Sequence, residues 1–209
     1  MSEGPGLFEV MYNTRAMRRL KPDPVPHDLL TKLIDAAHQA PSGSNTQNAR
    51  WLIVTNPESK ARLAEINLKA VLAYAAANRP DTPFFDQARR DRMTASVVWQ
   101  AEHLHEAPAL IFACLEMGRV PSDRFWLGAN SGGSVWPGVQ NLLLAARALG
   151  LGATLTTLIF SDRPAVKEIL GLPETIEPFG LIPVGYPLGK FGPVSRRPLD
   201  EVLRWERWD

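Results

Sequence analysis

Three segments carry side chains that could do chemistry together. Ala40-Pro41-Ser42-Gly43-Ser44-Asn45-Thr46-Gln47-Asn48 is a run of turn formers and uncharged hydrogen-bonding groups between an apolar helical stretch and an apolar strand. Thr14-Arg15-Ala16-Met17-Arg18-Arg19 and Ser195-Arg196-Arg197 are cationic clusters near the two ends. Hydroxyls and amides offer donors and acceptors without net charge, which suits the alternating C=O and N–H edge of a heterocycle. Guanidiniums present paired donors that match phosphate. Amides at one place and guanidiniums at another suit a ligand with a heterocyclic head and a phosphate tail, and flavin mononucleotide fits that description.

Each segment also has a plainer reading on its own. Arg15, Arg18 and Arg19 stand at i, i+3 and i+4, so a helical turn would put them on one face; an exposed basic face near a terminus has the same pattern. The run from Pro41 to Asn48 reads equally as a helix-to-strand loop, with Arg50 directly after it. Ser131-Gly132-Gly133-Ser134 precedes an apolar helix, where backbone N–H groups bind anions or a serine simply caps. His103 and His105 flank Leu104 with only Glu102 and Glu106 beside them, so no metal site is expected. No nucleophile elbow, phosphate loop or dinucleotide fingerprint is present.

The elements that must position these groups follow from periodicity. Leu7 to Asn13 reads as a short helix. Pro26 opens a second, with Leu29, Leu30, Leu33, Ile34 and Ala37 on one face. Trp51 to Val54 is a buried strand, and Ser59 to Ala77 is helical. Phe84 to Ala107 is charged with embedded aromatics and reads as a lid or excursion. Leu110 to Leu115 is a second strand, and Ser134 to Leu149 is a helix apolar nearly all round, which belongs inside a structure. Gly150 is its expected C-cap. Ala153 to Ile159 reads as a third strand, Arg163 to Leu170 as a helix, and Phe179 to Tyr186 as a last strand. Strands separated by helices of mixed length predict an α+β or α/β sandwich.

Composition narrows the function classes. The 209 residues suit one large domain, and 45% hydrophobic with 22% charged residues is ordinary for a globular chain. A formal net charge of +1 argues against a general nucleic-acid or anionic-membrane surface. The longest apolar stretch, Leu142 to Leu158, contains Arg147 and falls short of a membrane span. A single cysteine, Cys114, rules out an internal disulfide and fits a reducing cytoplasm. No basic segment followed by an apolar core marks a secretory signal at the start.

In this order the pieces resemble the nitroreductase family of flavin mononucleotide oxidoreductases. The resemblance lies in Thr14-Arg15-Ala16-Met17-Arg18, Pro24-Val25-Pro26, Ala40-Pro41-Ser42-Gly43-Ser44-Asn45-Thr46-Gln47-Asn48-Ala49-Arg50, and Val139 to Ala146 followed by Leu149-Gly150-Leu151-Gly152. It extends to Pro183-Val184-Gly185-Tyr186-Pro187 and Arg196-Arg197-Pro198-Leu199. The resemblance implies an α+β fold with a mostly antiparallel sheet flanked by helices, one domain over residues 1–209, and an interlocked homodimer with two flavin sites. It implies that Arg15, Ala16, Arg18, Arg196 and Arg197 line the phosphate, ribityl or pyrimidine part of the cofactor. Pro41, Ser42, Asn45 and Gln47 would approach the ring from the partner chain. Leu155, Thr156 and Thr157 would pass its reactive edge. Tyr74, Phe84, Phe85 and Trp99 would belong to a substrate lid around 78–107, and the tail from about 190 to 209, with Trp205 and Trp208, would wrap the other subunit. The implied chemistry is ping-pong hydride transfer from NAD(P)H to the flavin and on to an electron-poor acceptor. The alternative is a flavin- or deazaflavin-binding protein without nicotinamide-driven turnover. Thr14 and Ala16 stand where the family has an arginine and a serine, and Asn48 where it has a proline.

Overall fold

Prolines and capping side chains set where the helices begin. In the computed structural model, residues 5–77, 86–117 and 131–208 are described. Helix α1 (Leu7–Asn13) is followed by α2 (His27–His38), which Pro26 opens. Helix α3 (Pro57–Ala76) starts on a proline, and the Asn56 side chain accepts from Ser59 N at 2.9 Å. Helix α4 (Gln87–Glu102) is capped by Asp86, which accepts from Arg89 N at 2.7 Å. Helix α5 (Trp136–Ala148) and α6 (Arg163–Leu170) each carry a proline in the first turn, and a four-residue α7 (Leu199–Val202) lies in the tail. These placements use proline where its missing N–H has no helical partner to lose.

Strands β1 (Ala49–Val54), β2 (Ala109–Glu116), β3 (Gly152–Ala153) and β4 (Ile176–Gly185) form one sheet in the order β1-β2-β4-β3, antiparallel at every pairing. Buried on both faces, β2 and β4 read as continuous apolar runs. Ala109, Ile111, Ala113, Ile182 and Val184 face a layer made by α2 and α5. Leu110, Phe112, Cys114 and Leu181 face the opposite layer, with α3 and α6. Helices α2 and α5 approach closely because Gly138 has no side chain. A Cβ there would lie 2.9 Å from the Ala37 carbonyl oxygen and 2.9 Å from Trp51 Cζ2. Gly150 ends α5 with φ +76°, a left-handed conformation that costs glycine nothing.

One open reading is decided and two expectations change. Residues 14–19 are not helical, so Arg15, Arg18 and Arg19 do not share a helical face. The segment instead runs along the sheet edge, with Met17 N donating to Ala153 O at 3.1 Å and Leu20 bridging to Pro187. The strand expected over Ala153 to Ile159 is only Gly152–Ala153 plus one bridge from Thr156 to Leu181. Beyond it the chain turns into a short 3-10 helix, Leu158–Asp162, whose last residue caps α6. Within the stretch expected as an excursion, Gln87–Glu102 is a regular helix packed on α3. Phe84 and Phe85 lie outside the described residues.

Candidate functional site

The N-terminal basic segment and the C-terminal tail meet as antiparallel neighbours. Lys21 N donates to Tyr186 O at 2.8 Å, Leu188 N to Arg19 O at 3.0 Å, and Val194 N to Tyr12 O at 3.0 Å. Arg15 Nη2 reaches Lys190 O at 2.8 Å. Arg196 follows two residues after Val194, so the two cationic clusters converge on one side of the chain. Arg15, Ala16, Arg196 and Arg197 are exposed there, and Arg197 pairs with Glu201 at 3.9 Å. Thr14 takes no part: its hydroxyl donates to Val10 O at 2.6 Å and closes α1.

Arg18 lines a small cleft with Leu20, Trp99, Gln100, His103, Leu104, Ala107 and Pro183. Burial lowers the pKa of the Arg18 guanidinium below its ordinary value, and no anion or carbonyl among the described residues compensates it. Gln100 is 7% exposed, and its Nε2 is buried without a partner. His103 caps α4 with Nδ1 2.8 Å from Trp99 O, and its ring stacks on Trp99 at 4.0 Å between centroids. The Arg19 guanidinium lies 5.4 Å from the Trp99 ring centroid. An unpaired guanidinium, an unpaired buried amide and an imidazole therefore share one cleft. Leaving such groups unmatched costs stability, and a ligand edge of alternating carbonyl and N–H would satisfy them.

The segment Ala153–Thr157 runs beside the same wall of the sheet. Ala153 is opposite Val184 and Thr156 opposite Leu181, so the residues between them flank Pro183. Thr156 uses both backbone groups on Leu181, at 2.9 and 3.0 Å. Leu155 and Thr157 are exposed, while Thr154 is buried with its Oγ1 unpartnered.

The loop at Pro41–Asn48 is built for display. Ser44, Asn45 and Gln47 have φ of 52°, 53° and 49°. Each non-glycine residue held there is strained, a pattern that concentrates at ligand clamps and turns. Ser42 Oγ accepts from Gln47 N at 2.9 Å, and Gln47 Nε2 donates to Asn45 Oδ1 at 3.2 Å. Ser134 Oγ accepts from Gly43 N at 3.0 Å, which ties the loop to the approach of α5. Asn48 Nδ2 and the Arg50–Glu116 ion pair fasten it to the end of β2. Pro41, Asn45 and Gln47 remain exposed.

This loop and the cleft are far apart in one chain. The loop sits where β2 ends, and the cleft where β2 begins; its eight residues span about 27 Å. A single copy thus cannot present both to one small ligand. Large apolar side chains surround the exposed regions: Leu7, Phe8, Met11 and Tyr12 on α1, and Trp205 and Trp208 in the tail at 79% and 80% exposure.

Gln100 and His103 were not singled out as ligand-binding residues from the sequence, because α4 reads as a charged helix with scattered aromatics. The usable signal was Trp99 and His103 at i and i+4, which share a helical face. Tyr74 stands on the last turn of α3. Among the described residues no cluster of His, Cys, Asp and Glu could hold a metal ion, and no helix is long and apolar enough to cross a membrane.

The Nitroreductase family profile matches residues 11–186. An NADH dehydrogenase of Thermus thermophilus is 30% identical over 200 residues, covering 91% of this chain and 91% of that protein. An iodotyrosine deiodinase of Thermotoga neapolitana is 27% identical, covering 94% of this chain and 95% of its own length. A crystal structure of oxidised iodotyrosine deiodinase bound to FMN and 3-iodo-L-tyrosine superposes with TM-score 0.76 at 25% identity, over 97% of this chain and 100% of that one.

Proposed function

The chain belongs to the nitroreductase family, and from that premise we propose that it is an FMN-dependent oxidoreductase, reduced by NAD(P)H and reoxidised by an electron-poor small molecule such as a quinone or nitroaromatic. The observation that carries the reading is the cleft in which Arg18 and the Gln100 amide have no partner of their own. When bound, the flavin supplies the hydride chemistry, and the protein supplies binding, orientation and electrostatics.

Arg18 would donate to the pyrimidine carbonyl edge of a bound flavin and, as a fixed positive charge, would favour its reduced form. Gln100 reads the same edge with its amide. Arg15, Arg196 and Arg197 hold the phosphate and ribityl part, with Ala16 lining the approach, on the surface where the two basic segments meet. Leu155, Thr156 and Thr157 border the reactive edge. Trp99 excludes water from the cleft floor, while Tyr74, Phe84 and Phe85 belong to the acceptor side. Reductant and acceptor use the open face in turn, which is ping-pong kinetics.

A second copy completes the site. Pro41, Ser42, Asn45 and Gln47 of one chain would meet the cleft of the other, a reading that the separation along β2 supports. The exposed apolar face of α1 and the tryptophans of the tail are the surfaces that such a homodimer buries. The partners of the dimer are then a nicotinamide and a small acceptor, in the cytoplasm, without nucleic acid or membrane.

The absorbance spectrum of the purified protein, before and after anaerobic NADH or NADPH, tests this reading. Flavin bands that bleach on addition are the expected result. Bands that persist with both nucleotides indicate a flavin- or deazaflavin-binding protein without nicotinamide turnover, and a colourless protein that takes up no FMN overturns the reading.

A further inference from the structure

We propose that Arg163 is a positioning residue for the proposed reaction: from the start of α6 it holds a bulge in β4, and through that bulge it fixes where Leu155–Thr157 stand. The inference rests on reading Leu155, Thr156 and Thr157 as the border of the reactive edge.

The bulge interrupts the ladder between β2 and β4. Ala113 is opposite Gly180, but Cys114 is opposite Pro178, so Phe179 has no residue of β2 across from it. Such an extra residue bends its strand and re-aims side chains, a device found beside active sites. Phe179 packs in the layer of α5, where its ring meets Trp136 edge-on at 6.1 Å between centroids. Leu181, two residues on, packs in the opposite layer. A regular strand would put both on one face.

Gly180, next to the bulge, is the seat of Leu155. A Cβ on Gly180 would stand 2.8 Å from Leu155 Cδ1 and 3.5 Å from Trp136 Cζ3. The Leu155 side chain thus lies against β4 at a residue that leaves room for it, and is 38% exposed.

From Thr156 to Arg163 the chain forms an arch with two feet on β4. The first foot is the pair of backbone bonds between Thr156 and Leu181, at 2.9 and 3.0 Å. The second is Arg163, whose Nη1 donates to the Pro178 carbonyl oxygen. Phe179 and Gly180 lie between the two feet. Inside the arch the 3-10 helix Leu158–Asp162 buries Ile159, and the Arg163 guanidinium stands 5.1 Å from the Phe160 ring centroid. Asp162 closes it by accepting from Ala165 N at 3.3 Å.

A carboxylate aims Arg163. Glu177, 7% exposed, lies 3.6 Å from Arg163 Nη1 and 2.6 Å from Lys167 Nζ. Both cations belong to α6, so Glu177 clamps that helix to β4 directly before the bulge. Lys167 also donates to Glu174 O at 3.2 Å. Removing the Arg163 head group leaves Glu177 paired with Lys167, so the buried carboxylate keeps a counter-charge. The Pro178 foot of the arch is then free to move. A misplacement of about 1 Å at a reacting centre costs up to about 100-fold in rate.

Two variants separate positioning from folding. Arg163→Met keeps apolar bulk and removes the bond to Pro178, while Lys167→Met removes the other cation on Glu177 and leaves that bond. In the full chain without flavin, hydrogen exchange at the Thr156 and Leu181 amides is read against the amides of β2, which report global opening. Relative exchange should quicken about tenfold or more in Arg163→Met and keep the wild-type ratio in Lys167→Met. In the FMN-loaded protein, anaerobic reduction at saturating NADH or NADPH should slow about 10- to 100-fold in Arg163→Met. Lys167→Met should reduce at the wild-type rate, and Arg163→Lys should recover part of the loss. An unchanged exchange ratio in Arg163→Met, or the same change in both Met variants, overturns the positioning role. Faster exchange with an unchanged reduction rate overturns its link to the reaction and leaves the oxidoreductase reading standing. A wild-type protein that neither nucleotide reduces overturns both.

Discussion

Arg15 Nη2 donates to the backbone carbonyl of Lys190 at 2.8 Å, across 175 residues of sequence. One guanidinium thus joins the first basic segment to the tail that carries the second. The remaining N–H groups of Arg15 are exposed beside Ala16, at the place assigned to the phosphate. Arg15→Ala should weaken FMN binding to the apoprotein about 10- to 100-fold, since a hydrogen bond to a charged group contributes ~1.5–3 kcal/mol. Fluorescence quenching titration measures it. Unchanged affinity would move the phosphate elsewhere.

Gln100 separates stability from binding. Its buried Nε2 is unmatched in the chain by itself, and such a group costs about 1–3 kcal/mol. Gln100→Met keeps the bulk and removes the polar group. The variant apoprotein should melt at a higher temperature than wild type yet bind FMN at least about tenfold more weakly. A variant that melts lower and binds FMN normally would show that the amide serves packing only.

Gly138 marks the closest approach of α2 and α5. A Cβ at 2.9 Å from both a backbone oxygen and the Trp51 ring forces those helices apart. Gly138→Ala should lower stability by about 1–3 kcal/mol, the usual cost of overpacking, read as a shift of the urea midpoint without a change in slope.

Cys114 is a structural thiol. Burial, then the Glu177 carboxylate, push its pKa from 9.0 up to about 12, with Arg163 and Lys167 acting weakly the other way. Between those values the unfolded chain has lost the proton that the folded chain keeps. Folding stability therefore falls as pH rises from 9.0 towards about 12. Cys114→Ala should remove that part of the slope, seen in the difference between the two stability–pH curves. In the native state the thiol should resist alkylation.

The tail tryptophans report assembly. Deleting residues 203–209 removes Trp205 and Trp208, the most exposed large apolar side chains among the described residues. If the site is shared between two copies as proposed, sedimentation should show the shortened chain shifted towards monomer, and FMN should dissociate more readily.

Much of this molecule was legible from residue order. α1 and α6 begin and end where periodicity and prolines put them, at Leu7–Asn13 and Arg163–Leu170. The Thr-rich run after Gly152 was misread because alternating Thr and aliphatic residues favour extended backbone, while strand length depends on available partners. β4 offers that run only Val184, Gly185 and Leu181. The spacing of Arg15, Arg18 and Arg19 left open whether they share a helical face; pairing with Ala153 and Pro187 holds the segment extended instead.

The candidate site divides the same way. Residue types along the chain determined that cationic clusters and an uncharged, amide-rich loop exist, since those are local properties. Which atoms lack partners is a property of the packed interior. Only the tertiary structure brought Arg18, Gln100 and His103 to one cleft, and only it put the loop at the far end of β2. A chain's order lists its donors and acceptors; folding decides which of them are spent on one another, and the ones left over are those a ligand can use.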